Sequence, residues 1–146
     1  MRTPIRQVLE HKGRVVHVLA PTTSVATALE LMLGEGVGSV VVCEGARVVG
    51  LVGERHLLAA LASGRCVPLS TSLAEVMEPD PPAVSPDVAV GTAMALMTDR
   101  RTRHLPVVDD GHLVGLVSIG DLTRWVTVTL HQQVEDLHRY IVGEYT

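Results

Sequence analysis

RHLPVVDDGHLVGLVSIGDL, residues 103–122, sets two apolar runs around Asp110-Gly111 and closes on Ser118-x-x-Asp121. Short β-prone runs flanking an Asp-Gly pair spell a β-hairpin, because both residues tolerate the positive φ that a tight two-residue turn needs. An earlier stretch repeats this frame. GLVGERH at residues 50–56 opens as GLVSIGD does at residues 115–121, but Gly53 and His56 stand where the later stretch has Ser118 and Asp121. The chain writes one motif twice and keeps its polar groups once.

The repetition runs well beyond that motif. Sliding the sequence until Pro21 falls on Pro86 aligns the chain with itself, without a gap, as far as Leu57 on Leu122. Val25 then meets Val90, Thr27 meets Thr92, Ala28 meets Ala93, Leu31 meets Leu96, Met32 meets Met97 and Val42 meets Val107. A register held over that length marks a tandem duplication. Each copy predicts the order β-α-β-β-α. A β-rich run (residues 15–18, and weakly 83–85) leads to a polar helix cap at Thr22 or Asp87. The helix that follows carries Val25, Ala28, Leu29 and Met32 on one stripe, or Val90, Ala93, Met94 and Met97. Two apolar runs come next, 39–43 and 48–52 around Glu44-Gly45, or 105–108 and 113–117 around Asp110-Gly111. A second helix closes each copy from about His56 or Asp121. Continuous Val-rich runs predict sheets covered on both faces.

These signals divide the chain into a first repeat over 8–62, a linker over 63–75, a second repeat over 76–127 and a C-terminal amphipathic helix over 128–146. Within the linker, Ser72 and Glu75 have capping-box spacing for a short helix that stops before Pro79. Thr3 before Pro4 predicts a capped N-terminal helix. The added C-terminal helix is read from Val128, His131, Val134, Leu137, His138 and Ile141 at helical spacing.

Composition narrows the function. In 146 residues, 47% are hydrophobic, yet there is no Phe, one Trp and two Tyr, so Val, Leu, Ala and Met must fill the core. Scarce aromatics disfavour a base-stacking platform for single-stranded nucleic acid. A net charge of −4 without a basic stripe disfavours duplex binding as well. No apolar run reaches the roughly 18 residues that cross a bilayer. Cys43 and Cys66 have neither metal-ligand spacing nor the density of a disulfide scaffold, and a cytoplasmic protein is the simplest expectation. His131 and His138 lack the further ligands of a metal site, and no catalytic constellation is present, so neither an enzyme nor a metal protein is expected.

A paired β-α-β-β-α repeat containing RHLPVVDDGHLVGLVSIGDL, with the lead-in VMEPDPPAVSPDVAVGTAMALM, resembles a tandem cystathionine-β-synthase (CBS) domain pair, or Bateman module. The resemblance covers roughly residues 8–125 and is similar to small stand-alone bacterial members. It implies an α/β (α+β) fold in which the two repeats pack as a pseudo-twofold pair around two clefts. It also implies a regulatory, non-catalytic role: binding AMP first of all, or ADP, ATP, NAD or S-adenosylmethionine, within a homodimer that acts on an unidentified regulated protein. By the family pattern Ser118 and Asp121 hold the ribose, Arg103 and His104 reach phosphates, and Val16, His17, Gly38 and Ser39 lie beside the adenine through their backbone. The chemistry suits these roles. An ionised carboxylate is acceptor-only and can take both hydroxyls of a ribose, while the planar guanidinium meets phosphate oxygens in pairs. Without an aromatic to stack on the base, micromolar affinity is expected, about −8 kcal/mol.

Other readings stay open. Ser118-x-x-Asp121 also reads as a plain capping box. In the first copy Gly53 brings no hydroxyl, His56 cannot accept two, and Gly38 and Ser39 stand where Arg103 and His104 supply charge. That copy is expected to have lost ribose-phosphate chemistry, although Arg55 and His56 at a helix start offer a different anion site. A ligand-free dimerisation module is the alternative function.

Overall fold

The computed structural model describes residues 2–143. In the first half, α1 (Ile5–Lys12), β1 (Val18–Leu19) and α2 (Val25–Glu35) precede a hairpin of β2 (Ser39–Glu44) and β3 (Arg47–Gly53), closed by α3 (Glu54–Ala62). The short α4 (Leu73–Val76) and β4 (Glu78–Pro79) lead to α5 (Val90–Arg100), the hairpin β5 (His104–Asp109) and β6 (His112–Ser118), and α6 (Ile119–Ile141). Asp110 and Gly111 adopt φ of 50° and 77°, the paired positive values of the expected hairpin turn.

The two hairpins share one register. Ser39 pairs with Gly53 as His104 pairs with Ser118, and the ladder slips once in each, between Val42 and Cys43 and between Val107 and Val108. β1 runs parallel to β2, and its equivalent in the second copy is the single bridge between Val84 and Val107. Strand alternation then sorts the side chains. Val40, Val42 and Val52 face α2, α3 and α4, whereas Val41, Cys43 and Leu51 meet Leu113 and Leu116 between the sheets. Both faces of the first sheet are therefore covered, as its continuous apolar runs predict.

The helices are exchanged between the copies. Ile5, Val8 and Leu9 of α1 are buried in the core of the second copy, beside Val90, Met97, Leu105 and Val117. Leu73 of α4, with Val76 and Met77 against it, completes the core of the first copy. TPIRQVLE at residues 3–10 and TSLAEVME at residues 71–78 are thus the same element, a similarity visible in the sequence once the two segments are set side by side. The exchange explains why both copies keep the Gly of GLV. A Cβ on Gly115 would come within 2.7 Å of the Leu9 Cδ2, and one on Gly50 would collide with the Met77 sulfur.

Helix starts differ from expectation for the same reason. The α2 cap is Ser24, whose Oγ accepts from the Thr27 N–H, and α5 starts at Ala89 with no side-chain cap. Thr22 and Asp87 are not the caps. Backbone carbonyls of the exchanged segments serve instead: Val25 donates to the Thr71 carbonyl at 2.9 Å and Val90 to that of Thr3 at 2.7 Å. α1 starts at Ile5 after Pro4, without a side-chain cap from Thr3. In α4 the expected pairing is present, with Glu75 accepting from the Ser72 N–H at 2.7 Å.

The closing helix of the second copy and the added C-terminal helix prove to be one element. With neither Gly nor Pro between Asp121 and Ile141, nothing interrupts α6. By contrast α3 ends before Gly64, which takes φ 73°. The last residues of the expected C-terminal helix, 144–146, lie outside the described residues.

Candidate ligand cleft

Ser118 ends β6 and caps α6. Its Oγ accepts from the Asp121 N–H at 3.0 Å, and Asp121 Oδ2 accepts from the Ser118 N–H at 2.9 Å. The capping box is thus real, and it spends only one carboxylate oxygen. Lys12 Nζ, from the end of α1, donates to the same Oδ2 at 2.7 Å and to the Leu116 carbonyl at 2.8 Å. Among the described residues Oδ1 takes no hydrogen bond. Burial favours the protonated acid, but the hydrogen bonds from Lys12 and the Ser118 N–H, and the Lys12 charge, outweigh it and hold the Asp121 carboxyl below its ordinary value. Asp121 is ionised at neutral pH.

A cavity of about 280 Å³ opens beside this box. It brings together Asp121, Ser118, His104, Val16, His17, Gly38 and Ser39, with Lys12 at its edge. Sequence reasoning named all of these except Lys12, which no motif marks. The signal that could have found it is the match between TPIRQVLE and TSLAEVME, which assigns α1 to the second copy and carries Lys12 to its cleft. Arg103 is not in this cavity. It precedes β5 and lines a neighbouring cavity of about 380 Å³ with Arg101, Arg55, His56, Glu54 and Glu78. Gly38 and His104 line both cavities. Desolvation pushes the His104 imidazole below its ordinary value, an effect that the charge of Asp121 only partly offsets. The ring is therefore neutral at pH 7 and presents one donor and one acceptor.

The first copy fills the same positions differently. The Gly53 N–H donates to His56 Nδ1 at 2.9 Å, so the imidazole takes over the capping task of Asp121. Its only neutral acceptor is then used, and Nε2 lies 4.0 Å from Glu78 Oε2. His56 itself therefore offers no acceptor to a diol, and the carboxylates that share its cavity, Glu54 and Glu78, stand outside the capping box. Among the described residues no cluster of His, Cys, Asp and Glu could hold a metal ion, and no helix is long and apolar enough to cross a membrane.

Two exchanged β-α-β-β-α repeats, with clefts between their sheets and a carboxylate in the capping box of one closing helix, define a tandem cleft-forming module. The CBS domain model matches residues 3–63 and 73–128, and the chain belongs to the CBS domain family. It is 35% identical over 153 aligned residues to the mitochondrial CBS domain-containing protein CBSX3 of Arabidopsis thaliana, covering 98% of this chain and 74% of that one. The fold matches the CBS-domain containing protein ATU1752 of Agrobacterium tumefaciens with a TM-score of 0.79 and 31% identity, over 85% of this chain and 93% of that one. It also matches the CBS domain pair of protein MJ0100, solved with 5′-methylthioadenosine and S-adenosyl-L-methionine. There the TM-score is 0.78 at 19% identity, over 88% of this chain and 99% of that one, a likeness of fold.

Proposed function

We propose that this chain is a non-catalytic regulatory module that binds an adenosine-containing ligand in the cleft at Asp121. The observation that carries this reading is the ionised Asp121 carboxylate, with Oδ1 open, at the edge of a cavity that also gathers Ser118, His104, Val16, His17, Gly38 and Ser39. The ribose diol donates to the carboxylate, and Ser118 offers a hydroxyl on the same turn. The adenine lies against the backbone of Val16, His17, Gly38 and Ser39. His104 supplies one neutral donor to the phosphate, which reaches Arg103 where the two cavities meet. In this reading the cleft of about 280 Å³ takes the nucleoside and the adjoining cavity of about 380 Å³ takes the phosphate, with AMP the smallest nucleotide that engages both. The ligands of the MJ0100 pair support the adenosine class. In this reading the chain acts in the cytosol as a homodimer and passes the ligand signal to a separate protein.

Thermal unfolding against AMP, ADP, ATP, NAD, S-adenosylmethionine and 5′-methylthioadenosine tests it. A ligand at 100 times its dissociation constant should stabilise the fold by about 2.7 kcal/mol, and calorimetry should give one site per chain. No stabilisation by any of them would favour the alternative, a ligand-free dimerisation module. The observation behind that alternative is the exposed apolar stripe of α6, where Val134, Leu137 and Ile141 are each more than half exposed.

A further inference from the structure

Lys12 sits on one of the two carboxylate oxygens that a ribose diol would engage, and the exchanged helices explain how it comes to be there. In the first copy, Leu51 of β3 pairs with Glu78 of β4, so backbone covers that edge of the sheet. In the second copy the described residues form no matching strand, because α1 stays helical through Lys12. The equivalent carbonyl, that of Leu116, is met instead by the Lys12 ammonium, which reaches Asp121 Oδ2 in the same step. The side chains of Lys12 and Asp121 remain 32% and 27% exposed, so solvent and ligands can reach the pair.

We propose that Lys12 is a built-in competitor for the Asp121 carboxylate and thereby a determinant of ligand specificity. In the ligand-free chain its ammonium shares Oδ2 with the Ser118 N–H, and a ribose diol that bridges from the open Oδ1 to Oδ2 does so only by displacing it. The displaced ammonium regains an anionic partner only if the ligand brings one. An uncharged nucleoside brings none, whereas a nucleotide carries its phosphate to the junction at Gly38 and His104, where the cavity lined by Lys12 meets the one lined by Arg103. The cleft therefore discriminates against unphosphorylated nucleosides. This inference rests on the ribose assignment of Asp121 and adds to it the class of ligand that is refused.

Calorimetry on the full chain with adenosine and with AMP tests it, comparing wild type with Lys12→Met and with Lys12→Gln. Removing the competitor should tighten adenosine binding by about two- to fivefold, the scale of releasing a partly exposed ion pair, and narrow the preference for AMP over adenosine. Thermal unfolding verifies that each variant is folded, and two chemically different substitutions guard against a local packing defect. Adenosine binding that appears only in the Lys12 variants would support the competitor role most directly. Unchanged adenosine affinity in folded variants would reduce Lys12 to a structural tie and overturn the inference while AMP binding by wild type still upholds the cleft. Equal weakening of both ligands would make Lys12 an ordinary contact, which also overturns it. Binding of neither ligand by any variant would remove the nucleotide reading and the competitor together.

Discussion

Asp121 and His56 occupy equivalent positions and share one task, accepting the backbone N–H that opens the closing helix. They differ in what is left over. The carboxylate keeps Oδ1, while the neutral imidazole has spent its one acceptor. Asp121→Ala should therefore weaken adenosine-ligand binding by about 1.5–3 kcal/mol, the scale of hydrogen bonds to a charged group, as calorimetry can show. His56→Ala should cost about 1 kcal/mol of stability through its cap and leave ligand affinity unchanged. A large loss of affinity in that variant would mean that the ligand sits in the cleft of the first copy. His104 adds a pH dependence. Its folded-state value is depressed below 6.5 by burial, so the unfolded chain binds the proton more readily. The sign follows: this contribution to stability is complete above pH 6.5 and is lost as the pH falls below 6.5 towards the depressed folded value. Urea midpoints measured between pH 7.5 and pH 5 should fall more steeply for wild type than for His104→Gln.

At the level of elements, GLV is a packing device that the two copies share, and the polar residues after it are the part that diverged. Gly115 lies under Leu9, which is fully buried, so both methyl groups must move to admit a Cβ. Gly115→Ala should destabilise by about 1–3 kcal/mol, the usual cost of overpacking a filled core. Leu9→Ala should partly relieve that cost, so the double variant loses less stability than the two single losses added together. The hairpins, their turns and the two long helices of each copy were legible because they depend on local signals: Asp110-Gly111, alternating Val runs and the Val25, Ala28, Met32 stripe. The ends of those helices were not, because the groups that satisfy them, the Thr71 and Thr3 carbonyls, come from distant segments. Helix exchange was hidden for a related reason. Periodicity shows that Ile5, Val8 and Leu9 need a core but not whose core it is. Most of the cleft residues could be named from the family pattern, whereas Lys12 and the displacement of Arg103 into the neighbouring cavity follow from how the elements pack.

Exchange at the level of elements makes the whole chain interdependent. The first copy lacks a core residue until Leu73 arrives from beyond the 63–72 segment, and the second lacks three until α1 crosses back to it. The repeats look separable in sequence, yet the cores are not. Removing residues 1–12 takes Ile5, Val8 and Leu9, each 2% exposed or less, out of the second core and opens the groove they fill. At about 1.5–3 kcal/mol for each buried aliphatic side chain, the loss is of order 5–9 kcal/mol before any cavity term. Domains of this kind have only about 5–15 kcal/mol in total. The shortened chain should therefore lose the fold of its second copy, and with it the Asp121 cleft, while the first copy keeps the core under α2, α3 and α4 and loses only the cover of Leu113 and Leu116 over Val41, Cys43 and Leu51. Hydrogen exchange by mass spectrometry on residues 13–146 can read this directly. β5 and β6 should exchange far faster than in the intact chain, whereas β2 and β3 should keep more of their protection. Equal protection of both hairpins would show that α1 merely rests on a core that is stable without it.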